Sequence, residues 1–208
     1  MNAPEKLIGS PVRRKEDYRF LTGNGQYTDD VVLPHQSYGY FLRSPHAHAR
    51  IKSIDTSEAA ASPGVIAVLT GDDMAADKVG GLPCGWLIHS IDGSPMKEPP
   101  HPSLAHGKVR HVGDQVALVV AESLQQARDA SEKIVVDYEE LPAVIGLANA
   151  SSAASLVHDD VPANTCYTWG HGDKAATDAA FAKAAHVTTL QIVNNRLIPN
   201  AIEPRAVN

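Results

Sequence analysis

The run VALVVAES at residues 116–123 constrains the fold of this chain more than any other stretch. It is uncharged until Glu122 and carries Val116, Val119 and Val120, so it reads as a strand buried on both faces. Ser123 is placed to cap a helix in which Leu124, Ala127, Ala130 and Ile134 recur at helical spacing. KIVVDYEELPA (133–143) then returns to extended structure, and Pro142 ends it. A buried strand needs neighbours on either side. SYGYFLRS (37–44), ARIKSID (49–55) and VIAVLT (65–70) are the candidates, the second with imperfect alternation and the third read as buried. Thr56 or Ser57 is expected to cap a short helix, SEAAA, which Pro63 and Gly64 stop. GDD (71–73) reads as the turn that closes the strand before it.

The segments around this nucleus differ in character. Residues 1–36 are polar and turn-rich, with GNG at 23–25 and TDD at 28–30. Residues 71–108 hold paired glycines, a PCGW turn and EPPHP, and read as a long loop of the kind that serves function or meets a partner. GLANASSAASLVHDDVPANT (146–165) has the Ala/Ser-rich profile of a connector. Beyond it, Asp173 is placed to cap the helix KAATDAAFAKAA, and HVTTLQIVNNR (186–196) reads in part as an alternating strand. That strand is expected to have nothing to pair with, as at the front of something longer.

Charge and cysteine usage exclude several classes of function. A net charge of −6 and a pI near 5.9 speak against a nucleic-acid surface, which needs clustered Lys and Arg. The basic group Arg13, Arg14 and Lys15 is short and followed at once by Glu16 and Asp17. Cys84 and Cys166 lie far apart and outside any CxxC, so no secreted disulfide framework is indicated. The first twenty residues contain no apolar core of a signal peptide, and no apolar run reaches a membrane span. The expected location is a reducing cytoplasm.

Several side chains invite a chemical reading. His46 and His48, in RSPHAHARI, would share a face of a strand, and imidazoles at that spacing can both ligate a metal. No third ligand accompanies them, so they read as structure or subunit contact. His101, His106 and His111 have no fixed mutual geometry and read as exposed. Cys84 reads as a turn cysteine. GNGQYTDD (23–30) matches neither a dinucleotide fingerprint nor a phosphate loop. Glu139–Glu140 and Asp159–Asp160 are adjacent pairs whose side chains point apart in extended chain. No catalytic, cofactor-binding or metal residue is assigned in this chain.

Taken in order, seven blocks resemble the N-terminal part of the large subunit of molybdenum hydroxylases, the family of xanthine dehydrogenase, aldehyde oxidase and aerobic carbon monoxide dehydrogenase. They are GSPVRRKEDYRFLTGNGQYTDD (9–30), RSPHAHARIKSID (43–55), SPGVIAVLTGDD (62–73), HVGDQVALVVAES (111–123), ARDASEKIVVDYEELPAV (127–144), HGD (171–173) and NNRLIPNAIEPRA (194–206). Asp114–Gln115 departs from the Glu-Pro expected after Val112–Gly113. The resemblance implies an α+β fold: an α/β hammerhead domain followed by the incomplete start of a molybdopterin-binding domain. The expected divisions are an N-terminal arm over 1–19, the hammerhead over 20–145, a connector over 146–165 and the molybdopterin-domain start over 166–208. The histidines of RSPHAHARI are then hammerhead signature residues rather than metal ligands.

The resemblance further implies what a full-length subunit would do. It would hydroxylate or oxidise an aldehyde, an N-heterocycle or carbon monoxide with oxygen from water. It would hold molybdopterin (as the cytosine dinucleotide) and pass electrons to FAD-binding medium and 2Fe-2S small subunits. This chain alone is expected to carry no cofactor and to be inactive without the remainder of the large subunit. The alternative is a non-catalytic binding or subunit-assembly module that keeps the hammerhead fold.

Overall fold

The computed structural model describes residues 8–195, 197–201, 203 and 205–208. The chain falls into two compact units, one of residues 37–188 and one formed by residues 1–36 with 189–208.

The larger unit is built on two three-stranded antiparallel sheets. Strands β1 (Tyr38–Arg43), β2 (Ala49–Asp55) and β3 (Val65–Thr70) come first, then β4 (Lys108–Val109), β5 (Gln115–Ala121) and β6 (Val135–Glu140). One sheet has the order β1-β5-β3 and the other β4-β2-β6. VALVVAES thus forms the central strand, with both edges paired. VIAVLT is an edge strand and is only partly buried, because β5 is its one hydrogen-bonded neighbour. The imperfect alternation of ARIKSID has a physical origin. The β2–β6 register slips between Ile51 and Ser53, leaving Lys52 as a bulge that shifts the side-chain pattern.

Among the described residues five α-helices accompany the strands: α1 (Asp17–Leu21), α2 (Ser57–Ala60), α3 (Gly71–Ala76), α4 (Leu124–Ser131) and α5 (Lys174–Lys183). The Ser123 hydroxyl accepts from the Gln126 N–H at 3.3 Å and so caps α4. Neither Thr56 nor Ser57 caps α2 through its side chain. The Asp55 carboxylate does that work instead, accepting from the Ser57 N–H at 2.9 Å. GDD does not form a mere turn. It opens α3, where the Asp73 carboxylate accepts from both the N–H and the hydroxyl of Thr70 at 2.7 Å, a reciprocal cap.

The core follows from these elements. Ala117, Val119 and Ala121 on one face of β5 meet Ala127, Ala130 and Ile134, with Ala59 of α2 beside them. Val116, on the other face, joins Ala49, Ala105 and Val109 in a second cluster. Ile54 and Val136 pack against both clusters and tie the two sheets together. Small side chains let α4 lie close on the sheet, and each buried Val contributes roughly 1.5–3 kcal/mol.

The chain from residue 173 onward is different. Asp173 caps α5 by accepting from the Ala176 N–H at 2.9 Å, yet α5 buries none of its residues. HVTTLQIVNNR forms no strand over its described residues, 186–195, and position 196 lies outside them. The expectation of an unpaired strand there is therefore replaced by chain without regular secondary structure over the described residues. Val187, Leu190, Ile192, Val193, Leu197 and Ile198 are at least half exposed.

In the smaller unit, the turn at Thr28–Asp30 is held by the Asp30 carboxylate, which accepts from the Tyr27 N–H at 2.9 Å. Glu203 accepts from the Thr28 N–H and hydroxyl at 3.0 and 3.2 Å, and the Asn208 amide donates to the Val31 carbonyl. Two blocks far apart in sequence, TDD and NNRLIPNAIEPRA, are thereby joined. Positions 196, 202 and 204 of the second block lie outside the described residues, as do residues 1–7 of the arm.

Candidate functional site

RSPHAHARI lies where β1 gives way to β2, and its histidines sit in the connection rather than on a shared strand face. The Ser44 hydroxyl accepts from the His46 N–H at 3.0 Å and donates to the His46 carbonyl, pinning the turn. The His46 ring lies 4.8 Å from the Tyr138 ring, and its Nδ1 is 3.5 Å from Glu140. Burial pushes the Tyr138 hydroxyl above its ordinary value, partly offset by its hydrogen bond with Ser44. The buried His48 ring places Nδ1 at 3.0 Å from the Pro142 carbonyl and 3.5 Å from the Ser155 hydroxyl. Each imidazole is thus engaged by a different neighbour, and the pair fastens the β1–β2 connection to β6, through His46, and to the chain that follows it, through His48. Among the described residues, no three His, Cys, Asp or Glu side chains gather in a way that could hold a metal.

The loop histidines do not come together as one group. His106 pairs with Asp72 at 3.2 Å, and His111 faces Asp114 at 3.8 Å. His101 and His111, with Arg110, line a cavity of about 380 Å³ under the EPPHP segment. Cys84 and Cys166 line a second cavity and are both free. Glu139 and Glu140 are exposed at the end of β6.

The arrangement with most chemical content centres on β4 and was not legible in the sequence. Lys108 is 7% exposed at its side chain, and its Nζ donates to both carboxylate oxygens of Asp159 at 2.8 and 2.9 Å. The hydrogen bond from Lys108 holds the Asp159 carboxyl below its ordinary value. Beside it, burial and then the Arg110 charge push His158 below its ordinary value. Asp159 and Asp160 lie in a turn rather than in extended chain, and Asp159 has a partner 51 residues away. The alternation in KVR, with Lys108 and Arg110 on one side of a short strand, is the one local hint. The folding-back of 155–161 that completes the site has none. That return is held by Asn164, whose amide donates to the carbonyls of Ala150 and Ser155 at 3.0 Å and whose oxygen accepts from the Val157 N–H.

Two antiparallel sheets, a capped helix over one of them and a long loop before the central strand define a hammerhead-type α+β domain. The family described as "Aldehyde oxidase and xanthine dehydrogenase, a/b hammerhead domain" matches residues 22–142. The chain belongs to that family. The carbon monoxide dehydrogenase large chain of Afipia carboxidovorans is 40% identical over 214 aligned positions, covering 96% of this chain and 25% of that protein. The nicotine 6-hydroxylase large subunit of Paenarthrobacter nicotinovorans is 34% identical, covering 96% and 24%. Among solved structures, the Cu,Mo-CO dehydrogenase superposes with a TM-score of 0.66 at 39% identity, over 86% of this chain and 23% of that one. The chain therefore corresponds to the N-terminal part of molybdenum hydroxylase large subunits and spans about a quarter of the length of the curated relatives it matches.

Proposed function

We propose that this chain is the hammerhead-bearing front of a molybdenum-dependent oxidoreductase subunit. The complete subunit would oxidise or hydroxylate an aldehyde, an N-heterocycle or carbon monoxide with oxygen from water. Electrons would leave through 2Fe-2S and FAD partner subunits. The observation that carries this reading is near-complete coverage of the chain by proteins named as large chains and large subunits, at up to 40% identity. We further propose the division into an arm over 1–19, a hammerhead over 20–145, a connector over 146–165 and the start of a molybdopterin-binding domain over 166–208. The proposed location is the cytoplasm; no helix among the described residues is long and apolar enough to cross a membrane.

Among the described residues, the ones the sequence singled out are engaged within the chain, and none of them is proposed to hold molybdopterin. The histidines nearest to a ligand pair are held by Glu140, Tyr138 and the Pro142 carbonyl, and Gly25 of GNG packs against the Phe20 ring. No step of the chemistry is routed through these residues. Their role is to fold, and to present the surface on which the rest of the subunit is built. The reading frame after codon 208 tests this. Continuation into molybdopterin-binding motifs supports the reading, and a stop codon with no neighbouring open frame points to a free-standing assembly module.

A further inference from the structure

We propose that Cys84 and Cys166 form a redox-sensitive pair, which closes reversibly to a disulfide by exchange with a low-molecular-weight disulfide. The two are distant in sequence, yet they line one cavity of about 560 Å³, and neither is bonded.

Adjacent residues hold them there. The Lys97 N–H donates to the Cys166 carbonyl at 2.8 Å, and the Glu98 carboxylate accepts from the Cys84 N–H at 3.2 Å. Consecutive Cα atoms are about 3.8 Å apart, so both attachments start from nearly the same place. The surroundings are fixed by two more bonds of 2.8 Å, from the Leu82 N–H to the His101 carbonyl and from the Ile91 N–H to the Thr168 carbonyl. A disulfide joins Cα atoms roughly 4.4–6.8 Å apart. The chain at Cys84 can supply the final adjustment. Residues 83–85 belong to no helix or strand, and a Cβ on Gly85 would meet nothing within 4 Å.

Exposure assigns the order of events. Cys84 is exposed, with its Sγ 3.4 Å from the Trp86 carbonyl, whereas Cys166 is half-buried. The Cys84 thiolate attacks one sulfur of oxidised glutathione, the S–S bond breaks, and one glutathione thiolate leaves. The Cys166 thiolate then attacks the Cys84 sulfur of this mixed disulfide and displaces the second glutathione. Two protein thiols are oxidised, one glutathione disulfide is reduced, and the two protons pass to the leaving thiolates. The closed bond clamps the loop before β4 to the chain at 166–168. In a reducing compartment such a bond is transient and sensing rather than structural.

Intact mass and non-reducing peptide mapping of the dilute 208-residue chain, exchanged with oxidised glutathione, test the proposal. The chain is expected to end two hydrogens lighter, with one peptide pair joined through Cys84 and Cys166. Cys166→Ser should stop with one glutathionyl group on Cys84. Closure should run about tenfold faster or more in buffer than in urea, because only the fold supplies proximity. The urea comparison needs no variant, so it decides even if Cys166→Ser fails to fold. A chain that stops at mixed disulfides, joins two copies, or closes at a similar rate in urea overturns the proposal.

Discussion

Helices α4 and α5 are built alike and end up differently. Each begins at an acceptor side chain, Ser123 or Asp173, that caps a backbone N–H three residues on. Each is rich in alanine. Yet α4 buries Ala127, Ala130 and Ser131, whereas the ten residues of α5 bury nothing. A cap and good propensity make a helix locally. Burial needs a facing surface, which β5 supplies to α4 and no described element supplies to α5. On the function proposed above, the surface that α5 lacks would come from the remainder of a large subunit.

The widest gap between the two helices should appear on placing the same charge in each. Ala127→Glu introduces an unpaired carboxylate into the core and should cost roughly 3–5 kcal/mol, enough to unfold a marginal domain. Ala179→Glu, at an exposed position and with a residue of similar helix propensity, should stay within about 0.5 kcal/mol. Urea denaturation of both variants measures the difference. Equal losses would mean that α5 packs as α4 does.

Cap removal should separate the helices by a smaller margin. Ser123→Ala should lower global stability by about 1 kcal/mol, because α4 unfolds with the sheet. Asp173→Ala should reduce helical circular dichroism and leave the urea midpoint in place, because α5 frays on its own. A midpoint shift in Asp173→Ala would show coupling that the bare surface of α5 does not lead one to expect.

A gentler test uses pH. His158 has its folded pKa pushed below its ordinary 6.5, so the unfolded chain binds the extra proton first as pH falls. Its contribution to stability is complete above that ordinary value and is lost as pH drops from there through the lowered folded value. The β4 region should therefore loosen below pH 6.5, and His158→Gln should flatten that slope in urea midpoints measured across the range. An unchanged slope would assign the acid sensitivity elsewhere. The helicity of α5 should not follow this titration.

What could be read in advance divides along the same line. Patterns decided within a few residues were legible: β2 at 49–55, the central run of β5, and the caps at Ser123 and Asp173. Short-range competition among polar side chains was harder, so Asp55 took the cap expected of Thr56 or Ser57, and Asp73 turned a presumed turn into α3. Pairing across distance was not legible. Nothing near Lys108 announces Asp159, and nothing near Thr28 announces Glu203. The close approach of Gly71 to the Ala105 carbonyl, where a Cβ would lie 2.3 Å away, is likewise visible only in three dimensions. The family resemblance bridged part of that gap because its blocks carry the three-dimensional solution in their order.

Hydrogen exchange read by mass spectrometry tests the central claim most directly. In the 208-residue chain, peptides covering β5 and α4 should exchange slowest, near the global unfolding limit, while the peptide over 174–183 should exchange within seconds to minutes. In a complex reassembled with the remainder of a large subunit, the 174–183 peptide should gain protection and the β5 and α4 peptides should change little. Slow exchange over 174–183 in the chain by itself, or no gain of protection on assembly, would contradict the account.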